Sequence, residues 1–173
     1  MTPRVVLVGP MGAGKTTVAG LLAARWGTTV RDTDQDIETA AGRQISDIFV
    51  DEGESHFRLL ERRAVADALD HHDGVLALGG GAVLDPTTRG LLADHTVAFL
   101  QVGLSDAVKR VGLGIGRPLL LGNVRARVKG LLDERLPLYR AVADIQVNTD
   151  GRTPDDVAAE VAEAVEKREA EDR

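Results

Sequence analysis

The segment GPMGAGKT, Gly9 to Thr16, sets a lysine and a hydroxyl at the end of a glycine-rich turn, in the spacing G-x-x-x-x-G-K-[ST]. Glycines in such a turn let successive backbone N–H groups point inward around phosphate oxygens. A helix starting there adds partial positive charge from its N-terminus. In this arrangement Lys15 reaches the β- and γ-phosphates of a nucleotide, and Thr16 offers its hydroxyl to Mg2+. The motif follows an apolar run, RVVLVG (4–9), and opens an amphipathic one, GKTTVAGLLAARWG (14–27). That strand-then-helix context is the one a nucleotide-binding loop requires. The motif leaves the phosphoryl acceptor open: water in an NTPase or switch, a small molecule in a kinase.

Four further groups could serve an acceptor. In RDTDQDIE, Asp32 and Asp34 stand two apart at the end of a predicted strand, so they share a face if the strand continues that far. One can serve the Mg2+ shell; the other can orient an acceptor hydroxyl or take its proton. Asp36 reads as a helix cap. In LALGGGAVL, Gly79 to Gly81 follow an apolar strand. Each glycine costs about 0.5–1 kcal/mol relative to alanine inside a regular element, and the run makes sense where something touches bare backbone. Arg58 has Glu54 four residues before it and Glu61 three after it. Those acids either simply pair with it or hold its guanidinium for a bidentate grip on a carboxylate. Arg135 is similar, and Pro137 is expected to disturb its helix. Finally GLGIGRPLLLG (112–122) reads as a mobile loop carrying Arg117 next to Pro118, suited to a lid that brings an arginine to the transferring group.

These groups need a frame that gathers them. The chain has 173 residues, enough for one domain with a real core; 43% are hydrophobic and 28% charged, which is a globular composition. With 3% aromatics the core must be Val, Leu, Ile and Ala, and the absence of cysteine excludes disulfides and thiolate metal sites. No apolar run approaches the roughly 20 residues of a membrane span, and the first residues lead straight into the phosphate loop, so a cytoplasmic protein is expected. A net charge of −6 argues against nucleic acid as a partner. The charge is uneven: residues 104–140 carry +5 around the glycine-rich loop, and the tail 150–173 carries −5.

Strands are predicted at 4–9, 28–34, 74–80, 95–102 and 143–149. Helices are predicted at 14–27, 35–41, 45–70 with a possible break at Gly53, 86–93, 105–111 and 123–140, and from Thr153 into the tail. Continuous apolar strands between helices imply a parallel sheet covered on both faces. Ligands of such a sheet sit beyond the carboxyl ends of its strands, where the phosphate loop, the Asp32–Asp34 loop and the triple glycine all fall.

Taken together, GPMGAGKTT, DTDQDIE, GRQISDIFVDEGESHFRLLE, LALGGGAV, GRPLL and RLPLYR resemble the shikimate kinase family in order and spacing along nearly the whole chain. The resemblance implies a single three-layer α/β domain over 1–173. Its fold is the adenylate-kinase-like type of phosphate-loop fold, with a five-stranded parallel sheet, a substrate-binding helical segment at about 33–61, a lid at about 112–124 and an acidic C-terminal helix at about 153–173. It implies that Gly12, Ala13, Gly14, Lys15, Thr16 and Thr17 hold ATP phosphates, that Thr16 and Asp32 serve Mg2+, and that Asp34 binds acceptor hydroxyls and acts as base. Arg58, Arg135 and the Gly79–Gly81 backbone would hold shikimate, Arg117 would come from the lid, and Arg110, Arg152 and Pro154 would flank adenine. The implied reaction is transfer of the γ-phosphoryl group of Mg·ATP to the 3-hydroxyl of shikimate by a monomer. Thr16 replaces the commoner serine of the family and keeps the hydroxyl. The competing readings are a gluconate- or nucleoside-monophosphate-type kinase, or a nucleotide-binding module without turnover; intact Lys15, Asp34, Arg58, Arg117 and Arg135 argue against the last.

Overall fold

A computed structural model describes residues 1–115 and 121–173. Arg117, Pro118 and the centre of the expected lid lie outside the described residues. Five parallel strands, β1 (Val5–Val8), β2 (Val30–Asp32), β3 (Val75–Ala77), β4 (Val97–Gln101) and β5 (Ile145–Asn148), form one sheet in the order β2-β3-β1-β4-β5. The helices are α1 (Lys15–Trp26), α2 (Thr33–Ala41), α3 (Ile45–Glu52), α4 (Glu54–His71), α5 (Pro86–Leu92), α6 (Leu104–Ile115), α7 (Leu121–Val142) and α8 (Pro154–Glu171), with a 3-10 turn at Ala82–Leu84.

All four β1 residues are buried because the strand is covered on both sides. Strand alternation sends Val5 and Leu7 into one core with α1 and α8, and Val6 and Val8 into another with α4 and Tyr139. This is the three-layer architecture the sequence predicts. A third, small cluster of Ile37, Ile48 and Phe57 ties α2, α3 and α4 into a unit of their own.

Register explains why the motifs converge. Asp32 and Leu7 both lie opposite Ala77 of β3. Asp34, Gly9 and Gly79 each follow two residues later, so the three segments leave the sheet at one level. Strand order reverses on either side of β1, and the phosphate loop leaves β1 at that switch point.

Several boundaries differ from expectation for identifiable reasons. Strand β2 stops at Asp32, whose carboxylate caps α2 by accepting from the N–H groups of Asp34 and Gln35. Asp34 therefore sits in the first turn of α2 and does not share a strand face with Asp32. Asp36 is not a cap; it pairs with Arg31 at 2.6 Å. Of the expected loop at 112–122, the residues up to Ile115 belong to α6 and those from Leu121 to α7. Leu104, Ala107, Val108, Val111 and Ile115 keep helical spacing through the glycines. Helix α7 also continues through Pro137, so Arg135 lies inside a helix and not at its end.

The acidic tail acquires a structural role. Glu166 on α8 accepts from Trp26 Nε1 at 3.0 Å and from Arg25 at 3.1 Å. Glu169 takes a two-pronged bond from Arg4, whose guanidinium lies 4.1 Å from the centre of the Trp26 ring. The group clamps the far ends of α1 and α8. Arg4→Ala is expected to cost about 1 kcal/mol, seen as a Tm lower by about 2–4 °C. An unchanged melting curve would make the clamp ornamental.

Candidate active site

The phosphate loop folds as its glycines require. Gly14, in the left-handed region at φ 89°, precedes α1. The ammonium of Lys15 lies inside the loop and donates to the carbonyls of Gly9 at 2.6 Å and Pro10 at 3.0 Å. Burial of that ammonium lowers its pKa to about 8, against the pull of the nearby Asp34 and Asp32 carboxylates.

Beside it, one oxygen of Asp32 holds the α2 cap while the other faces the Thr16 hydroxyl at 3.3 Å. A hydroxyl and a carboxylate oxygen are the hard donors that Mg2+ takes together with phosphate oxygens and water. The residues present thus fit the ion that the motif implies.

Across the loop, a cavity of about 230 Å³ is lined by Gly12, Gly14, Thr17, Arg110, Arg152 and Pro154 among others. Arg110 donates to the carbonyl of Gly12 at 2.8 Å and to that of Thr149 at 3.2 Å. Arg152 donates to the carbonyl of Asn148 at 2.9 Å. Both arginines brace the walls of this cavity through main-chain carbonyls.

On the other side of Lys15, α2 and α4 bring Asp34, Arg58 and Glu61 onto the triple glycine. A Cβ at Gly79 would lie 2.5 Å from Asp34 Oδ1 and 3.0 Å from Glu61 Oε2. At Gly81 it would lie 2.5 Å from Nη2 of Arg58. At Gly80 the nearest side-chain neighbour would be Arg135 Nη1, at 3.7 Å. Alanine fits neither Gly79 nor Gly81 unless those side chains move. The glycine run is thus a floor that two carboxylates and two guanidiniums approach at bare backbone.

The charges are matched there. Arg58 donates to Glu61 at 2.8 Å and to Glu54 at 3.4 Å. Among the described residues, the buried side-chain nitrogens or oxygens without a partner are Nε of Arg58 and Nε of Arg135. Burial raises the carboxyl pKa of Asp34, helped by repulsion from Asp32, and opposed by Lys15. Burial also raises that of Glu61, which is 3% exposed, although Arg58 pulls the other way.

Lys15, Thr16, Asp32, Asp34, Arg58, Gly79–Gly81 and Arg135 are therefore gathered beyond the carboxyl ends of β1, β2 and β3, with Arg110, Arg152 and Pro154 across the phosphate loop. Sequence reasoning missed three contributors. Glu61 appeared only as an ion-pair partner and is a buried wall of the site. Phe49 and Phe57 pack at 4.7 Å with the Arg58 guanidinium 5.9 and 5.3 Å from their rings; the spacing of both around Arg58 was the available signal.

Comparisons with known proteins point to one family. The family model described as "Shikimate kinase" matches residues 11–166. A shikimate kinase of Salinispora arenicola is 61% identical over 162 residues, covering 94% of this chain and 97% of its own. One of Streptomyces avermitilis is 58% identical over 168 residues, covering 97% and 98%. Among solved structures, a shikimate kinase from Acinetobacter baumannii in complex with shikimate is similar with TM-score 0.89 and 35% identity, covering 97% of this chain and 95% of its own. Among the described residues, no helix is long and apolar enough to cross a membrane.

Proposed function

The chain belongs to the shikimate kinase family, and from that premise we propose how its residues divide the transfer of the γ-phosphoryl group of ATP to the 3-hydroxyl of shikimate. Asp34 binds the acceptor hydroxyl and takes its proton as the oxygen attacks; the burial that raises its pKa also makes it a stronger base. Lys15 and the N–H groups of Gly12 to Thr17 hold the β- and γ-phosphates. Arg58 and Arg135 grip the carboxylate of shikimate over the Gly79–Gly81 floor, and Arg117 approaches the phosphates from the lid. Arg110, Arg152 and Pro154 flank the adenine. Mg2+, held by Thr16 and, through water, by Asp32, would neutralise phosphate charge when bound. The transition state is loose, with little covalent work for the protein, so these groups act by position and charge.

The observation that carries the reading is the pair of unpartnered buried Nε atoms on Arg58 and Arg135 beside a glycine floor and an aspartate. A compact hydroxy acid has the matching groups: a carboxylate for the arginines and hydroxyls for the aspartate. The test is ADP release from Mg·ATP with shikimate, gluconate or AMP. Release that depends on shikimate is expected. Release with another acceptor would discard the roles of Arg58 and Arg135, and tight ATP binding with no release would point to a module without turnover.

Lys15 gives this reading a pH signature. Its ammonium titrates near 8 in the free site, and phosphates favour the charged form. Above that pH, binding of ATP must take up a proton, so Kd should rise by up to about tenfold per pH unit. Calorimetry in buffers of different ionisation heat should show the uptake; a Kd flat from pH 7.5 to about 9.5 would separate Lys15 from the phosphates.

A further inference from the structure

We propose that Tyr139 is a positioning residue for the acceptor: its hydroxyl holds the carbonyl of Gly80 and so fixes the orientation of the Gly80–Gly81 peptide in the floor. The inference rests on the reading of that floor as the shikimate site.

Three glycines in a row have no side chains to hold a conformation, and they are the freest backbone a chain can have. The floor must be fixed from outside. At Gly79 this is done by Thr33 Oγ1, at the start of α2, accepting its N–H at 3.4 Å and by Ala82 donating to its carbonyl at 3.1 Å. The next carbonyl, that of Gly80, is held from α7: Tyr139 donates its phenolic proton to it at 2.5 Å.

The Tyr139 ring is suited to this task. It is 1% exposed and stacks on Phe99 of β4 with centroids 4.9 Å apart. A phenylalanine would fill the same slot, and the hydroxyl adds a polar group that is tolerated in a core only with a partner. Burial raises the phenol pKa, so the group remains a donor.

The peptide transmits the constraint. No cis peptide occurs among the described residues, and in a trans peptide the carbonyl and the following N–H point in opposite directions. With the Gly80 oxygen drawn to Tyr139, the N–H of Gly81 points away from it. No protein acceptor among the described residues takes the N–H of Gly80 or of Gly81. Gly81 lies against the Arg58 guanidinium. Arg135, one turn before Tyr139 on α7, lies beside Gly80. One helix thus carries an arginine of the carboxylate grip and anchors the floor beneath it.

The test compares Tyr139→Phe with the unmodified protein. In the unmodified protein, shikimate must elicit ADP release; without it the site reading falls, and this role with it. Given that release, Tyr139→Phe should raise KM for shikimate about five- to tenfold, with kcat, KM for ATP and Tm changed little. A variant whose Tm drops while its shikimate KM is unchanged would make Tyr139 a core residue only and overturn the proposal. Tyr139 is the sole tyrosine of the chain, which provides a second readout independent of any substitution. Protein labelled with 3-fluorotyrosine should show a 19F resonance that moves on titration with shikimate, and a resonance indifferent to saturating shikimate would also overturn it.

Discussion

Lys15→Ala is expected to lose turnover by about 10²–10³-fold, the scale for removing one preorganised charge donor from a phosphoryl-transfer site. The structure separates this loss from a folding defect. The Lys15 ammonium is buried, and its pKa of about 8 means that the folded protein disfavours its charge. The substitution removes that unfavourable charge. It also breaks bonds to the carbonyls of Gly9 and Pro10, which water in the open loop can replace. Tm should therefore hold or rise while kcat collapses. A variant with kcat within threefold of the parent would take Lys15 out of the chemistry, and one that simply unfolds would refute the account of its charge.

Arg58→Ala is expected to weaken shikimate about 30- to 1,000-fold, as truncating one partner of a desolvated charge pair does. KM for ATP should change little. The same substitution strips Glu61 of its partner at 2.8 Å, and Glu61 is buried. Its folded pKa, already raised by burial, should climb further. A carboxyl whose folded pKa exceeds its unfolded one destabilises the fold as pH rises through that range. The variant should thus be least stable at neutral and alkaline pH and recover as acid protonates Glu61. Adding Glu61→Gln should restore the stability and leave shikimate binding lost. If shikimate KM stayed put while ATP kinetics fell, Arg58 would serve only its ion pairs with Glu54 and Glu61. The sequence left that choice open; the unpartnered Nε favours the grip.

Local rules carried the reading a long way in this chain. The phosphate loop, the helix stop at Gly27 and the cap at Thr153 are set by residues within a few positions of each other. The parallel sheet was legible because its three central strands, β3, β1 and β4, are apolar without alternation. The convergence of Asp34, Gly79 and Lys15 followed from strands ending at one level. What escaped turned largely on partners outside the local segment. Asp32 looked like a strand residue; its cap on α2 is local, made to the N–H groups of Asp34 and Gln35, but its contact with Thr16 on α1 is not. Asp36 looked like a cap because its partner Arg31 precedes the helix. Glu61 read only as a partner of Arg58, and Tyr139 carried no reading at all. Their roles appear only when α4 and α7 lie over the same three glycines. The clamp of Trp26 and Arg4 was invisible because Glu166 and Glu169 are more than a hundred residues away.

That clamp also joins the two ends of the described fold. Arg4 and Glu169 lie 2.9 Å apart, so the first strand begins where the last helix finishes. The chain is close to a ring, cut beside this pair. A short peptide across the cut would close it, and the ring could be reopened at the exposed turn of Ala93 and Asp94, which precedes β4 at the end of the sheet remote from the cleft. The catalytic arrangement depends on the order of strands within the sheet and not on where along the ring translation begins; circular permutants that turn over shikimate would express that independence, and permutants that fold without activity would deny it.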